Sequence, residues 1–125
     1  MNDPMTTHGA LSWTELRTGD MAGAKSFYAN VLGWETEDME GSPQPYTIVK
    51  TGGAPVGGIT AGDGAPQWVT YITVDDVDAR VKAAEAAGAK VVVPAFDAPG
   101  VGRMANIEDP TGALIALITY ESQQA

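Results

Sequence analysis

Residues 12–20, SWTELRTGD, alternate bulky or β-branched side chains with others and stop at Gly-Asp, the pattern of a strand. Alternation puts Trp13, Glu15 and Arg17 on one face and Thr14, Leu16 and Thr18 on the other. If the Leu16 face packs on a helix, an indole, a carboxylate and a guanidinium line the opposite side, toward water or a ligand cavity. Residues 68–76, WVTYITVDD, return to the same pattern, with Trp13 matching Val69, Leu16 matching Ile72 and Thr18 matching Val74.

The segments that follow repeat as well. Asp20 is placed to cap a helix over MAGAKSFYANVLG, where Met21, Ala24, Phe27, Tyr28, Val31 and Leu32 fall at helical spacing and Gly33 supplies the stop. WETEDME (34–40) reads as an acidic edge strand, GSPQP (41–45) as a loop, and YTIVK, Gly-Gly and PVGGIT as a hairpin. AGDGAPQ (61–67) is the linker. The second copy then runs as a strand (68–76) ending in a cap, a helix over 77–89, a strand KVVVP (90–94), a loop FDAPGVG (96–102), and a closing hairpin of RMANIE, the DPTG turn and ALIALITY. The order βαβββ thus occurs twice. The layout is one domain over 11–120, with module one at 11–60 and module two at 68–120, after a flexible segment 1–10 and before a tail 121–125. One helix covering one face of about four strands in each module makes the fold class α+β. Trp13, Glu15 and Arg17 of one module, and Val69, Tyr71 and Thr73 of the other, then point away from the helices into a cup.

Composition narrows the function. With 7 Lys and Arg against 16 Asp and Glu the net charge is −9, and the basic residues are scattered singly, so nucleic acid is not an expected partner. No apolar run approaches the ~18 residues of a membrane span, and the start MNDPMTTHGA has neither the basic nor the apolar region of a leader. The absence of cysteine removes thiolate chemistry and fits a cytoplasmic protein. His8, the single histidine, precedes the first strand, so no Ser-His-Asp or Cys-His set can be assembled. TGGAPVGGITAGDG lacks the following helix and Lys-Ser or Lys-Thr pair of a phosphate loop and reads as a hairpin turn plus a strand whose missing side chains leave room.

The stretches WTELRTGDMAGAKSFYANVLGW, VTYITVDDVDARVKAAEAAGAKVV and IEDPTGALIAL, in this order and spacing, resemble the vicinal oxygen chelate superfamily, which includes glyoxalase I, extradiol dioxygenases and bleomycin resistance proteins. The resemblance spans nearly all of residues 10–120. It implies two βαβββ modules in a curved eight-stranded sheet around a ligand cup, often in a homodimer. It names no reaction, because one fold hosts many chemistries. Metal enzymes of this family draw ligands from the first and last strand of each module. Mapped onto this chain, those places are Trp13, Gly58 (or Gly57, if the hairpin is shifted by one), Val69 and Ala116. None carries an imidazole, carboxylate or thiolate donor.

Each site candidate has two readings. Trp13 is a stacking wall for a flat ligand or a core filler; Trp68, on the opposite face from Val69, reads as packing. Glu15 and Arg17 are an acid–base and anion-anchoring pair or, more simply, an ion pair. Arg103 and Met104 sit in a loop over the opening or in a strand after a turn. Tyr46, Tyr71, Met104 and Asn106 would enrich the pocket wall if strand register turns them inward. The expected site is therefore Trp13, Glu15, Arg17, Tyr71, Met104 and Asn106, with Glu15 and Arg17 the only catalytic candidates. The expected function is metal-independent binding of a mostly apolar or aromatic small molecule, resembling the antibiotic-binding and bleomycin-resistance branch, with no cofactor. The alternatives are a glyoxalase-like lyase or isomerase, with a divalent metal or with Glu15 and a tyrosine as acid and base, and a non-catalytic interaction module.

Overall fold

The computed structural model describes residues 3–41 and 44–121; Ser42 and Pro43 of the expected loop, the first two residues and most of the expected tail lie outside the described residues. The elements run β1 (Leu11–Thr18), α1 (Met21–Leu32), β2 (Glu35–Asp38), β3 (Tyr46–Thr51), β4 (Ala54–Ala61), β5 (Gln67–Thr73), α2 (Val77–Ala86), β6 (Lys90–Ala98), β7 (Gly102–Glu108) and β8 (Leu114–Tyr120). This is the α+β fold of two βαβββ modules. The chain divides into two compact units, Trp13–Val69 and Met1–Ser12 with Thr70–Ala125. No helix among the described residues is long and apolar enough to cross a membrane.

In the first unit the strand order is β2-β3-β4-β1. β1 and β4 pair in parallel, as a helical crossover requires, and the hairpins β2–β3 and β3–β4 are antiparallel. Asp20 accepts a hydrogen bond from the Gly23 amide at 2.8 Å and starts α1. Gly33 ends it with φ 73°, a left-handed conformation that glycine adopts at little cost. Leu16, Val49 and Ile59 form the core against Met21, Ala24, Tyr28 and Trp34. Leu16 therefore faces the helix, and the odd-numbered residues of β1 face the other way. The rest of the α1 apolar stripe is not used inside this chain, since Phe27, Val31 and Leu32 are each more than half exposed. Trp68, expected to pack, meets Tyr28 and Trp34 in T-shaped contacts with ring centroids 5.8 and 6.0 Å away and stays 42% exposed.

In the second unit the order is β5-β8-β7-β6, again with the first and last strands of the module parallel. Val74, Val77, Ala105, Ile107 and Leu117 form its core, with Ile72, Val81, Ala84 and Ile115 packed on them. Asp76 caps α2 through the Ala79 amide at 3.1 Å, as the sequence implies, and the helix ends at Ala86 rather than reaching 89. Residues 3–10 bond to this unit: Gly9 donates to the Thr73 carbonyl at 2.7 Å, and the Thr73 amide and hydroxyl donate to Ala10 and Pro4 carbonyls at 2.8 and 2.7 Å.

The expected loop FDAPGVG is mostly strand. β6 continues to Ala98, pairing Phe96 with Met104, Asp97 with Arg103 and Ala98 with Gly102. The register slips between Val91 and Val93 and again between Val93 and Phe96. Such bulges let Pro94, which has no amide hydrogen for the ladder, sit inside a strand. Arg103 and Met104 consequently lie within β7 and do not form a loop over an opening. Arg103 grips Asp78 of α2 through Nε and Nη2 at 2.8 and 3.0 Å and Asp97 of β6 at 3.1 Å, tying strand to helix.

Burial predicts which substitutions matter. Ile59→Ala, at a fully buried position, is expected to cost about 2–5 kcal/mol, and Phe27→Ala, on the exposed stripe, under about 1 kcal/mol, in urea unfolding. Charge predicts an acid limit. The bidentate Arg80 guanidinium holds Asp75 down from 3.8 to about 2, Arg103 lowers Asp78, and the Thr111 hydroxyl lowers Asp109. Folded carboxyls depressed in this way stabilise the fold above about pH 4 and lose that contribution as pH falls toward 2. Thermal midpoints measured from pH 5 to pH 2 should fall less steeply for D75N/D78N than for the parent chain.

Candidate functional site

The strand registers decide which side chains share the face away from α1. Glu15 lies beside Gly58, which lies beside Ile48, and Arg17 lies beside Thr60, which lies beside Tyr46. Side chains aligned in this way project to the same side of a sheet. Gly58 and not Gly57 is thus the β4 residue on this face; a Cβ on Gly57 would instead meet the Thr14 carbonyl.

A directed chain of hydrogen bonds joins the three residues expected from β1. The Trp13 indole N–H donates to the Tyr46 hydroxyl at 2.8 Å, and that hydroxyl donates to Glu15 Oε1 at 2.9 Å. Arg17 Nε donates to Glu15 Oε2 at 2.8 Å. The direction follows from chemistry. An indole nitrogen can only donate, so the phenol oxygen accepts from it and turns its own hydrogen toward the carboxylate. Glu15 is 4% exposed, and burying a carboxylate is tolerable because both oxygens are engaged and a guanidinium is adjacent. The simpler reading of Glu15 and Arg17 as an ion pair is what the geometry shows.

The side taken by Tyr46, like that of Tyr71, Met104 and Asn106, depends on strand register, and Tyr46 is the one of the four that the expected site leaves out. Its ring lies across Gly58. A Cβ built on Gly58 would overlap the Tyr46 Oη and Cζ atoms and come to 2.5 Å from Cε1. A signal was present in the sequence: an aromatic at the start of one hairpin strand and a glycine near the middle of the next often mark an aromatic ring folded over a bare backbone.

The second unit brings its expected residues together on its own corresponding face. Tyr71 aligns with Ala116 and then Asn106, and Thr73 with Ile118 and then Met104. All six are buried, and the Asn106 Oδ1 atom has no hydrogen-bond partner. None of the six predicted site residues lines the cleft of about 360 Å³ at Asp75–Asp78, Asp97 and Arg103 in this unit. That cleft is acidic, and its arginine is already held by Asp78 and Asp97.

The four places at which the family's metal enzymes carry ligands do not fit a metal in this chain. An indole, a glycine hydrogen, an isopropyl and a methyl group offer no donor, and no group of three or more His, Cys, Asp or Glu able to hold an ion occurs among the described residues.

Residues 10–117 match the profile of the Glyoxalase/Bleomycin resistance protein/Dioxygenase superfamily. The chain belongs to this superfamily. It is 40% identical over 117 residues to the protein named "Putative glyoxylase CFP32" of Mycobacterium tuberculosis (strain CDC 1551 / Oshkosh), covering 87% of this chain and 45% of that protein. It is 32% identical over 128 residues to anthracycline biosynthesis protein DnrV of Streptomyces peucetius, covering 87% and 46%. The chain thus spans about half the length of the curated relatives it matches. Methylmalonyl-CoA epimerase from Mycobacterium tuberculosis has a similar fold, with a TM-score of 0.63 and 18% identity over 98% of this chain and 93% of that one.

Tyr46→Phe keeps the ring over Gly58 and removes both of its hydrogen bonds. It should cost about 0.5–1.5 kcal/mol in chemical denaturation, because the part-buried indole N–H and the Glu15 carboxylate each lose one hydrogen bond.

Proposed function

We propose that the chain is a metal-independent small-molecule-binding member of the superfamily, and that its ligand is a mostly apolar, flat molecule stacked on Trp13. The observation that carries this reading is the Trp13–Tyr46–Glu15–Arg17 chain. It fixes an indole by its one polar atom, a bond that uses neither ring face, and sets a charged pair beside it to hold a polar end. An indole locked in this way loses little side-chain freedom when a ligand stacks on it, so more of the stacking energy appears as affinity. The donor-free residues at the four metal places support a function that runs without an ion. The DnrV relative adds chemical direction, since its name places it in the biosynthesis of anthracyclines, which are flat fused-ring compounds. Tyr71, Met104 and Asn106 are assigned to the same role on the second unit. We also assign the protein to the cytoplasm and to a homodimer.

A second reading is favoured by the name of the mycobacterial relative: a glyoxalase-like lyase or isomerase in which Glu15 and Tyr46 exchange a proton with substrate.

Titration with an anthraquinone or an anthracycline, followed by tryptophan fluorescence, separates the readings. Quenching should saturate, persist after dialysis against a chelator, and vanish in Trp13→Phe, since Trp34 and Trp68 lie in the aromatic cluster with Tyr28 on the helix side. A response lost on chelation and restored by a divalent metal would sink the metal-independent reading; turnover of a 2-oxoaldehyde hemithioacetal would favour the enzyme.

A further inference from the structure

We infer that Tyr46 is the residue that closes the first unit's site face to a metal ion. The inference deepens the metal-independent reading and rests on it for its biological meaning, although its physical content stands on geometry alone. Gly58 occupies the last-strand place from which a family metal ligand would project, and Glu15 is its partner in the adjacent strand. A side chain at position 58 would begin inside the Tyr46 phenol. For a ligating group to emerge there, Tyr46 has to swing away, and swinging away breaks its bonds to the Trp13 indole at 2.8 Å and to Glu15 Oε1 at 2.9 Å. The converse also holds. Those two bonds hold the ring on Gly58 and commit one oxygen of the neighbouring carboxylate to a phenol hydrogen.

Steric exclusion and donor sequestration are therefore one device. Replacing residues at the metal places alone would not restore an ion site, because the phenol would still fill the space and still occupy Glu15. The second unit lacks this arrangement. Its residue aligned in the place of Tyr46 is Met104, beside Ile118, and Ala116 stands where Gly58 stands in the first unit. A thioether cannot donate a hydrogen bond, so the closing device belongs to the first unit.

Two experiments test this. In the first, Gly58→Ala is made in the parent chain and in Tyr46→Ala, and thermal midpoints are compared as a double-mutant cycle. A large drop in the parent and a small one without Tyr46 is expected; equal drops in both backgrounds would overturn the inference. In the second, Mn²⁺ and Zn²⁺ alone are titrated by calorimetry into W13H/G58E and W13H/Y46A/G58E, with circular dichroism confirming the fold. Removing Tyr46 should tighten metal binding by about tenfold or more, the range by which groups around a metal ligand tune affinity. Equal affinity with and without Tyr46 would overturn the inference, and if either variant fails to fold the cycle decides alone. The outcomes are separable from those of the proposed function. Metal found on the parent chain's site face defeats the metal-independent reading, whereas additivity in the cycle defeats only the role of Tyr46.

Discussion

A carboxylate that is 4% exposed imposes a condition on everything near it. Glu15 needs partners for both oxygens, or burying it would cost several kcal/mol. Arg17, two residues along the same face of β1, supplies one; Tyr46, brought across by the β3–β4 hairpin and the parallel β1–β4 pairing, supplies another. The second condition follows from the first. A phenol can reach Glu15 from β3 only by crossing β4, and it can cross only where β4 has no side chain, which is Gly58. One buried charge thus explains the glycine, the tyrosine, the orientation of the indole and the absence of a ligating side chain at that strand position.

The frame was readable from residue order because its signals are local or repetitive. The caps at Asp20 and Asp76, the stop at Gly33, and the alternation of β1 and β5 each depend on a few neighbouring residues, and the repeat doubled every one of them. The face of Trp13, Glu15 and Arg17 followed from Leu16 needing a helix to pack on. What could not be read depended on pairing between strands. The choice between Gly57 and Gly58, and the side taken by Tyr46, turn on a single-residue register that a hairpin of small residues does not announce. The strand residues in FDAPGVG are hidden for a related reason: Pro99 and Gly100 look like loop chemistry, but they form only the tight turn, while Phe96, Asp97 and Ala98 pair with Met104, Arg103 and Gly102.

The two modules keep one geometry and diverge in chemistry. At matched places the first unit has Glu15, Tyr46, Ile48 and Gly58, and the second has Tyr71, Met104, Asn106 and Ala116. Only the backbone pattern and the helix-side apolar residues are held in common, as expected if packing against the helix constrains one face of each sheet while the other is left to function. The first unit's face carries a charged pair joined to a phenol and an indole by hydrogen bonds. The second is apolar apart from Tyr71, Thr73 and Asn106, and the orphan Oδ1 of Asn106 is a buried acceptor of the kind that folding alone does not favour.

This divergence bears on why a family known for metal chemistry accommodates a chain with no ligands at the usual places. A metal site requires several strands to contribute donors converging on one point, and loss of one donor leaves the others as buried polar groups without a partner. Here no donor remains at those places. The carboxylate two residues beyond Trp13 is paired with a guanidinium and accepts a hydrogen bond from a phenol, so the polar groups on this face answer one another. A scaffold whose strands present side chains at fixed positions can vary the chemistry of one face without altering its core, because Leu16, Val49 and Ile59 sit on the other side of the sheet.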